Sequence, residues 1–378
     1  MFAKTTMAAD RIYPLARPKG HKPPMERWKL EFENDQARIH VAYLGVQRHN
    51  PTTHTSSCFE ASLKAIRTWM DGIDPDERPV SERFEFLEGD DEPESVLWVC
   101  YWSSLTAFDK CIQRLNLTDI YTRLGRPATV GLWLECFTTP ISRLETNYSG
   151  LDYLPGLAEL PGSTPIGHTL TAYWGAARDR IPDSGHDLFS SEGEERTSPP
   201  AEIPTGLGQH LTGSNEYSNL VHIRSGQFWA NCSDTETAAY ESTLEPTLRA
   251  GLRYLWENRS ASGAMGLRFL RNLHPADPHT SVPGAIPARN PTPAAKETCA
   301  AGFFRNLSDL ETWAKRHKSH LAIFNGAIAH ARTFGEGRRF RTWHEVSVLK
   351  RGEANFEYVN CVPKTGVISY LRLDRRDL

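Results

Sequence analysis

No stretch of this chain approaches the roughly 18 consecutive apolar residues that a membrane-crossing helix needs. No long run of Lys or Arg occurs in its 378 residues, and the formal net charge is only −3. Neither a membrane nor a nucleic acid is therefore an expected partner. No C-x-x-C pair occurs among the seven cysteines, Cys58, Cys100, Cys111, Cys136, Cys232, Cys299 and Cys361. That excludes a zinc ribbon and c-type haem attachment, and the odd number argues against a disulfide framework. Free thiols in a reducing, cytoplasmic compartment are the expectation. A P-loop, G-x-G-x-x-G, G-x-S-x-G and H-E-x-x-H are all missing, which removes the nucleotide, serine-hydrolase and zincin readings. Residues 1–26 are basic and contain proline but no apolar core, so they read as an irregular arm and not as a secretion signal.

What is present is repeated. The segment from Ser95 to Lys110 reads as an apolar strand, a turn and an amphipathic helix, and so does the one from Thr298 to Trp313. Leu132–Phe137 matches Thr342–Ser347, and Ile39–Gln47 matches Leu220–Gln227. Helical stretches follow the latter pair, Ser57 to Met70 and Asp234 to Trp256. Each half thus reads as strand, helix, strand, strand, helix, strand. This is the ferredoxin-like pattern, and two copies predict an α+β fold whose antiparallel sheets form a barrel or sandwich flanked by helices. The expected division is an arm at 1–26, a first half at 27–181, a connecting loop at 182–216 and a second half at 217–378. Both halves form one compact domain. Residues 273–296, with six prolines, read as an insertion in the second half.

Two histidines stand out. His320 lies in a segment read as one helix, opened by a capping box of Ser308 and Glu311. Leu310, Trp313, Ala314, His317, Leu321 and Phe324 share one face of it, with His320 at the edge. Three readings of His317 and His320 stand: a zinc pair, a single axial haem ligand, or one surface and one core histidine. His344 lies on a strand, facing away from Trp343 and Glu345. The matching residue in the first half is Leu134, so one copy carries an imidazole where the other carries an apolar side chain. Helix and following strand commonly pack together, which lets His320 and His344 face one space. Arg178, after the turn at Tyr173–Gly175, and Ser225, beside Gly226, are further polar candidates.

At these residues the chain resembles the aldoxime dehydratases, haem-containing lyases that make nitriles. Four stretches carry the likeness: Tyr173–Pro182, Ile223–Trp229, Leu307–Phe324, and the strand around His344. The resemblance implies a duplicated ferredoxin-like barrel with a b-type haem, ferrous for activity. It implies His320 as the axial ligand of the iron and His344 as the distal acid and base. It also implies Ser225 on the oxime hydroxyl, Arg178 near the distal side, and Glu145 orienting the distal network, with Glu135 a nearby rival. The implied substrate is an alkyl or arylalkyl aldoxime and the implied assembly a homodimer. His344 would protonate the leaving oxygen first and take the carbon-bound proton afterwards. A haem-binding or gas-sensing protein without turnover is the alternative on the same fold.

Overall fold

The structure, a computed structural model, describes residues 11–33, 36–49, 56–125, 129–191, 204–273 and 296–378. Most of the Pro-rich insertion, part of the loop between the halves and the first ten residues lie outside the described residues.

Alternating apolar residues and short turns produce fourteen strands among the described residues. They are β1 (Arg27–Phe32), β2 (Arg38–Arg48), β3 (Val80–Gly89), β4 (Val96–Trp102), β5 (Val130–Pro140), β6 (Leu144–Tyr148) and β7 (Ser163–His168). β8 (Gln209–Ser214), β9 (Leu220–Phe228), β10 (Ala264–Asn272), β11 (Glu297–Phe304), β12 (Arg341–Leu349), β13 (Ala354–Val359) and β14 (Asp374–Asp377) follow. The helices are α1 (Ser56–Asp71), α2 (Leu105–Arg114), α3 (Leu117–Thr122), α4 (Ala176–Arg180), α5 (Asp234–Ala239), α6 (Glu245–Glu257), α7 (Arg259–Ser262), α8 (Leu307–Arg316) and α9 (Lys318–Phe334).

All these strands join one antiparallel sheet, ordered β14-β8-β13-β5-β2-β4-β3-β10-β11-β9-β12-β6-β1-β7, whose two halves form a first sheet (β14 to β3) and a second (β10 to β7). Within it, β2, β3, β4 and β5 stand in the ferredoxin-like order, and β9, β10, β11 and β12 repeat that order in mirror sequence across the β3–β10 seam. The fold is the expected duplicated α+β one. The flanks cross over: β8, β13 and β14, late in the chain, extend the first sheet, while β1, β6 and β7 extend the second.

The two sheets face each other. His222 of β9 lies 4.9 Å from Tyr43 of β2 and 4.7 Å from Phe137 of β5, ring centre to ring centre. That interior is one apolar core. A second core fills the space between the first sheet and α1, α2 and α3. A third lies between the second sheet and α6 and α8. The duplication reaches single contacts. Gly45 pairs with Trp133, and Gly226 pairs with Trp343. A β-carbon at either glycine would stand 2.1 Å from the indole of its partner. Only hydrogen fits there, because each indole lies flat across the neighbouring strand. Above each indole sits a guanidinium, Arg268 at 4.0 Å and Arg224 at 4.5 Å.

The arm packs on its own chain. Ile12 and Tyr13 donate backbone N–H groups to the Gly185 carbonyl, Ala16 donates to Asp179, and His21 meets the Thr171 carbonyl at 2.8 Å.

Candidate active site

The outer, helix-covered faces of the two sheets differ along the row that holds His344. Directly opposite residues in a ladder share a face. In the first sheet the row runs Trp98, Leu44, Leu134, Glu357 across β4, β2, β5 and β13. Trp98, Leu44 and Leu134 are buried under the helices of that half. In the second sheet the same row runs Ala300, Ser225, His344, Asn147 across β11, β9, β12 and β6. One large indole and two leucines have become a methyl, a hydroxyl and an imidazole. The second copy therefore has room and hydrogen-bonding groups where the first is filled with hydrocarbon.

His344 is held by a continuous set of polar contacts. Its Nδ1 lies 2.9 Å from Glu145 Oε2 and its Nε2 lies 3.1 Å from Asn147 Nδ2. Asn147 Oδ1 meets His168 Nε2 at 3.1 Å, and the Leu170 N–H reaches His168 Nδ1 at 3.2 Å. Arg180 donates its Nε–H to Glu145 at 2.5 Å and an Nη–H to the Leu170 carbonyl at 2.6 Å. The side chain of Glu145 is 0% exposed and that of Arg180 4%, while that of His344 keeps 27%. The carboxylate is thus sealed behind an imidazole that still opens outward. Burial alone would raise the pKa of Glu145, but Arg180 and then His344 outweigh it and hold the carboxyl below its usual range. Burial and the neighbouring Arg180 push His168 down to about 3, so it stays neutral.

The helix expected around His320 is two helices. Asn306, and not Ser308, caps α8 by accepting the Asp309 N–H. The chain turns extended at His317, whose ring caps α9 by accepting the Ser319 N–H and stacks on Tyr254 at 3.6 Å. His317 is thereby occupied as a structural residue. Among the described residues no cluster of three or more His, Cys, Asp or Glu could hold a metal ion, which removes the zinc reading there.

His320 sits in the first turn of α9, edge-on to Trp313 at 4.7 Å. Burial lowers its pKa; the Ala314 backbone works in the opposite direction and a charge on His344 would lower it further. The Ala314 influence does not amount to a formed hydrogen bond, since the buried Nδ1 of His320 has no partner within bonding range. The coupling places the two imidazoles within electrostatic reach of each other. Within α9 only His330 is fully buried. Leu321, Phe324 and Ile328 stay half-buried, and Trp174, 39% exposed, leans on Phe324 at 5.3 Å. A neutral imidazole with an unused nitrogen, beside half-buried apolar side chains, fits a haem: a flat apolar macrocycle whose iron takes one nitrogen ligand.

Four of the five expected residues gather here: His320, His344, Ser225 and Glu145. Glu135 lies elsewhere, bound by Arg268 at 2.7 Å and by the Tyr358 hydroxyl at 2.9 Å in the interior. Arg178 is not brought to the His344 network. Its guanidinium forks onto Glu311 at 2.9 and 2.6 Å. The arginine on Glu145 is Arg180, two residues on, because the single turn of α4 sends the two side chains in different directions. Asn147 and His168 escaped the sequence reading. Their signal was there in part: Glu145 and Asn147, two apart on a strand, share one face.

The model of a family described as haem-containing dehydratase matches residues 42–367. The chain is 27% identical over 371 residues to an aliphatic aldoxime dehydratase of Pseudomonas chlororaphis, covering 96% of each. It is 25% identical over 361 residues to a phenylacetaldoxime dehydratase of Bacillus sp. (strain OxB-1), covering 94% of each. Two solved aldoxime dehydratase structures share the fold. One, in complex with butyraldoxime, has a TM-score of 0.79 at 24% identity, covering 98% of this chain and 96% of that one. The other has a TM-score of 0.76 at 23% identity, covering 98% of each. With the family match spanning well over half of its length, the chain belongs to the haem-containing dehydratase family.

Proposed function

We propose that this chain dehydrates alkyl or arylalkyl aldoximes to nitriles, R–CH=N–OH to R–C≡N and water, with haem b held by His320. The observation that carries the reading is the pair Ser225 and His344, polar where the internal copy has Leu44 and Leu134 buried under its helices. Held by His320, ferrous haem would supply an electron-rich metal able to bind an oxime nitrogen and weaken its bond to oxygen.

The protein's own residues handle the protons. Hydroxide is a poor leaving group, so the departing oxygen needs a proton and the carbon must lose one. The two transfers balance: His344 gives a proton to the oxygen and recovers one from carbon, ending as it began. Glu145 faces the inner nitrogen of His344 and stabilises the imidazolium, a role its buried, ionised state suits. Arg180 keeps that carboxylate ionised and fixed. Ser225, opposite His344 in the ladder, is assigned to the oxime oxygen, so that the leaving group is aligned before the bond breaks.

A cytoplasmic location belongs to the proposal, supported by seven free cysteines of which all but Cys232 are buried. The homodimer rests on the resemblance alone, and light scattering of the purified protein decides it. The functional test is nitrile formation from butyraldoxime and phenylacetaldoxime by the reduced, haem-loaded protein without oxygen. The gas-sensing alternative gives a haem spectrum and no nitrile.

A further inference from the structure

The directions of the hydrogen bonds around His344 follow from groups that can act in only one way. The Leu170 backbone N–H can only donate, so His168 Nδ1 accepts. His168 is neutral, so its single proton is on Nε2 and goes to Asn147 Oδ1. The amide of Asn147 is then turned with its nitrogen toward His344, and Nε2 of His344 accepts. His344 therefore carries its proton on Nδ1, where the Glu145 carboxylate can only accept. Arg180 closes the circuit, donating to Glu145 and to the Leu170 carbonyl. Every donor in this loop meets an acceptor, and reversing any member breaks two contacts.

We propose that Asn147, clamped by His168, is a positioning residue that presents to the outer nitrogen of His344 a donor and never an acceptor. The titratable and charged groups around that ring are Glu145 and Arg180 behind it and the neutral His320, and neither Glu145 nor Arg180 offers an acceptor on the outer side. When His344 is protonated, its Nε2–H faces the N–H of a locked amide and the Asn147 contact is lost. The Ser225 hydroxyl and the oxime oxygen assigned to it are then the acceptors left for that proton. The clamp so makes the outer nitrogen a stronger acid and directs it at the leaving group. Asn147 acts through His344 and touches no reacting atom. The inference deepens the dehydratase reading and rests on it for its catalytic consequence alone.

The test reads proton positions by nitrogen NMR on 15N-histidine-labelled protein, haem-loaded in the diamagnetic ferrous carbonyl form, with His344 assigned by its loss in H344A. In the parent at neutral pH, His344 carries hydrogen on Nδ1 and none on Nε2. In Asn147→Asp, nearly the same shape but an acceptor, Nε2 gains a proton and kcat falls at least about tenfold with KM moved less than twofold. The wrong imidazole tautomer costs about 10⁴ in kcat in a Ser-His-Asp catalytic triad. In His168→Leu the amide is released and Nε2 becomes partly protonated, while His168→Gln, which still offers an N–H to Asn147, restores the parent pattern. A bare Nε2 in both Asn147→Asp and His168→Leu, with kcat unchanged, overturns the proposal. So does an Nε2 that is already protonated in the parent. If the parent makes no nitrile, the functional reading fails, yet the proton positions still decide whether the clamp exists.

Discussion

At the scale of single residues, the account turns on two imidazoles with different surroundings. His344 is braced by a buried ion pair, whereas burial keeps His320 neutral and its Nδ1 bonds to nothing. His344→Ala is expected to keep its haem and lose about a hundredfold or more in kcat, the usual scale for a general acid and base. Steady-state turnover on an aldoxime measures this, and a near-normal rate removes His344 from the chemistry. His320→Ala is expected to lose haem, seen as a vanished Soret band, while His317→Ala keeps it. The opposite pattern transfers the ligand to His317. Much of this was legible before the structure, because the two copies could be laid on each other and Leu134 stood where the second copy has His344. Arg180 was not. Arg178 and Arg180 flank one aspartate, and only the path of a single helical turn decides which of them reaches Glu145.

At the scale of elements, the internal repeat offers its own control. Ala at Gly226 or at Gly45 drives a methyl into an indole, and each is expected to cost about 1–3 kcal/mol by overpacking. Gly226→Ala also pushes on Trp343, the neighbour of His344, so it should lower activity at a given fraction folded. Gly45→Ala pushes on Trp133 in the filled copy and should leave the rate per folded molecule near the parent's. Urea midpoints alongside initial rates distinguish the two, and equal activity loss in both variants would count against a site confined to the second half. The strand and helix order of each half could be read from periodicity. The break between α8 and α9 could not, since no proline or glycine marks it. It is made by tertiary contacts, His317 stacking on Tyr254 of α6 while bonding the first turn of α9. His317→Ala should thus cost about 1 kcal/mol through loss of the cap. A urea midpoint unchanged from the parent would deny His317 that role.

At the scale of the whole molecule, two sheets close over an interior that holds buried charge. Glu345 accepts from Tyr101 and from the Leu157 N–H, each at 2.8 Å, near Arg224. Burial still pushes its carboxyl up to about 7, and Asp90 up to about 6. The folded state binds these protons more tightly than the unfolded chain does. The stability they contribute is complete below the ordinary carboxylate pKa and is lost as pH rises from about 4.5 through about 7. Glu145, held below its usual range, has the opposite sign, and its contribution fades only at more acidic pH. His168, pushed down to about 3, has the opposite sign over much of this range, so the part owed to Glu345 is read as a difference: the parent's unfolding midpoint should fall relative to that of Glu345→Gln as pH rises from about 4.5 to about 7. A slope unchanged by the substitution assigns the effect elsewhere. The exchange of flanking strands between the sheets was beyond the sequence, because β1, β6 and β7 are short strands whose partners are set by the closed shape and not by any local pattern.

The claim on which the rest depends is that this chain makes nitriles on a haem held by His320. The most direct measurement is product analysis of the haem-loaded protein, reduced with dithionite and given phenylacetaldoxime without oxygen. The account predicts stoichiometric phenylacetonitrile over many turnovers, with no reductant consumed and none of the product from H320A. A fully haem-loaded, reduced parent that binds aldoximes and releases no nitrile would contradict it.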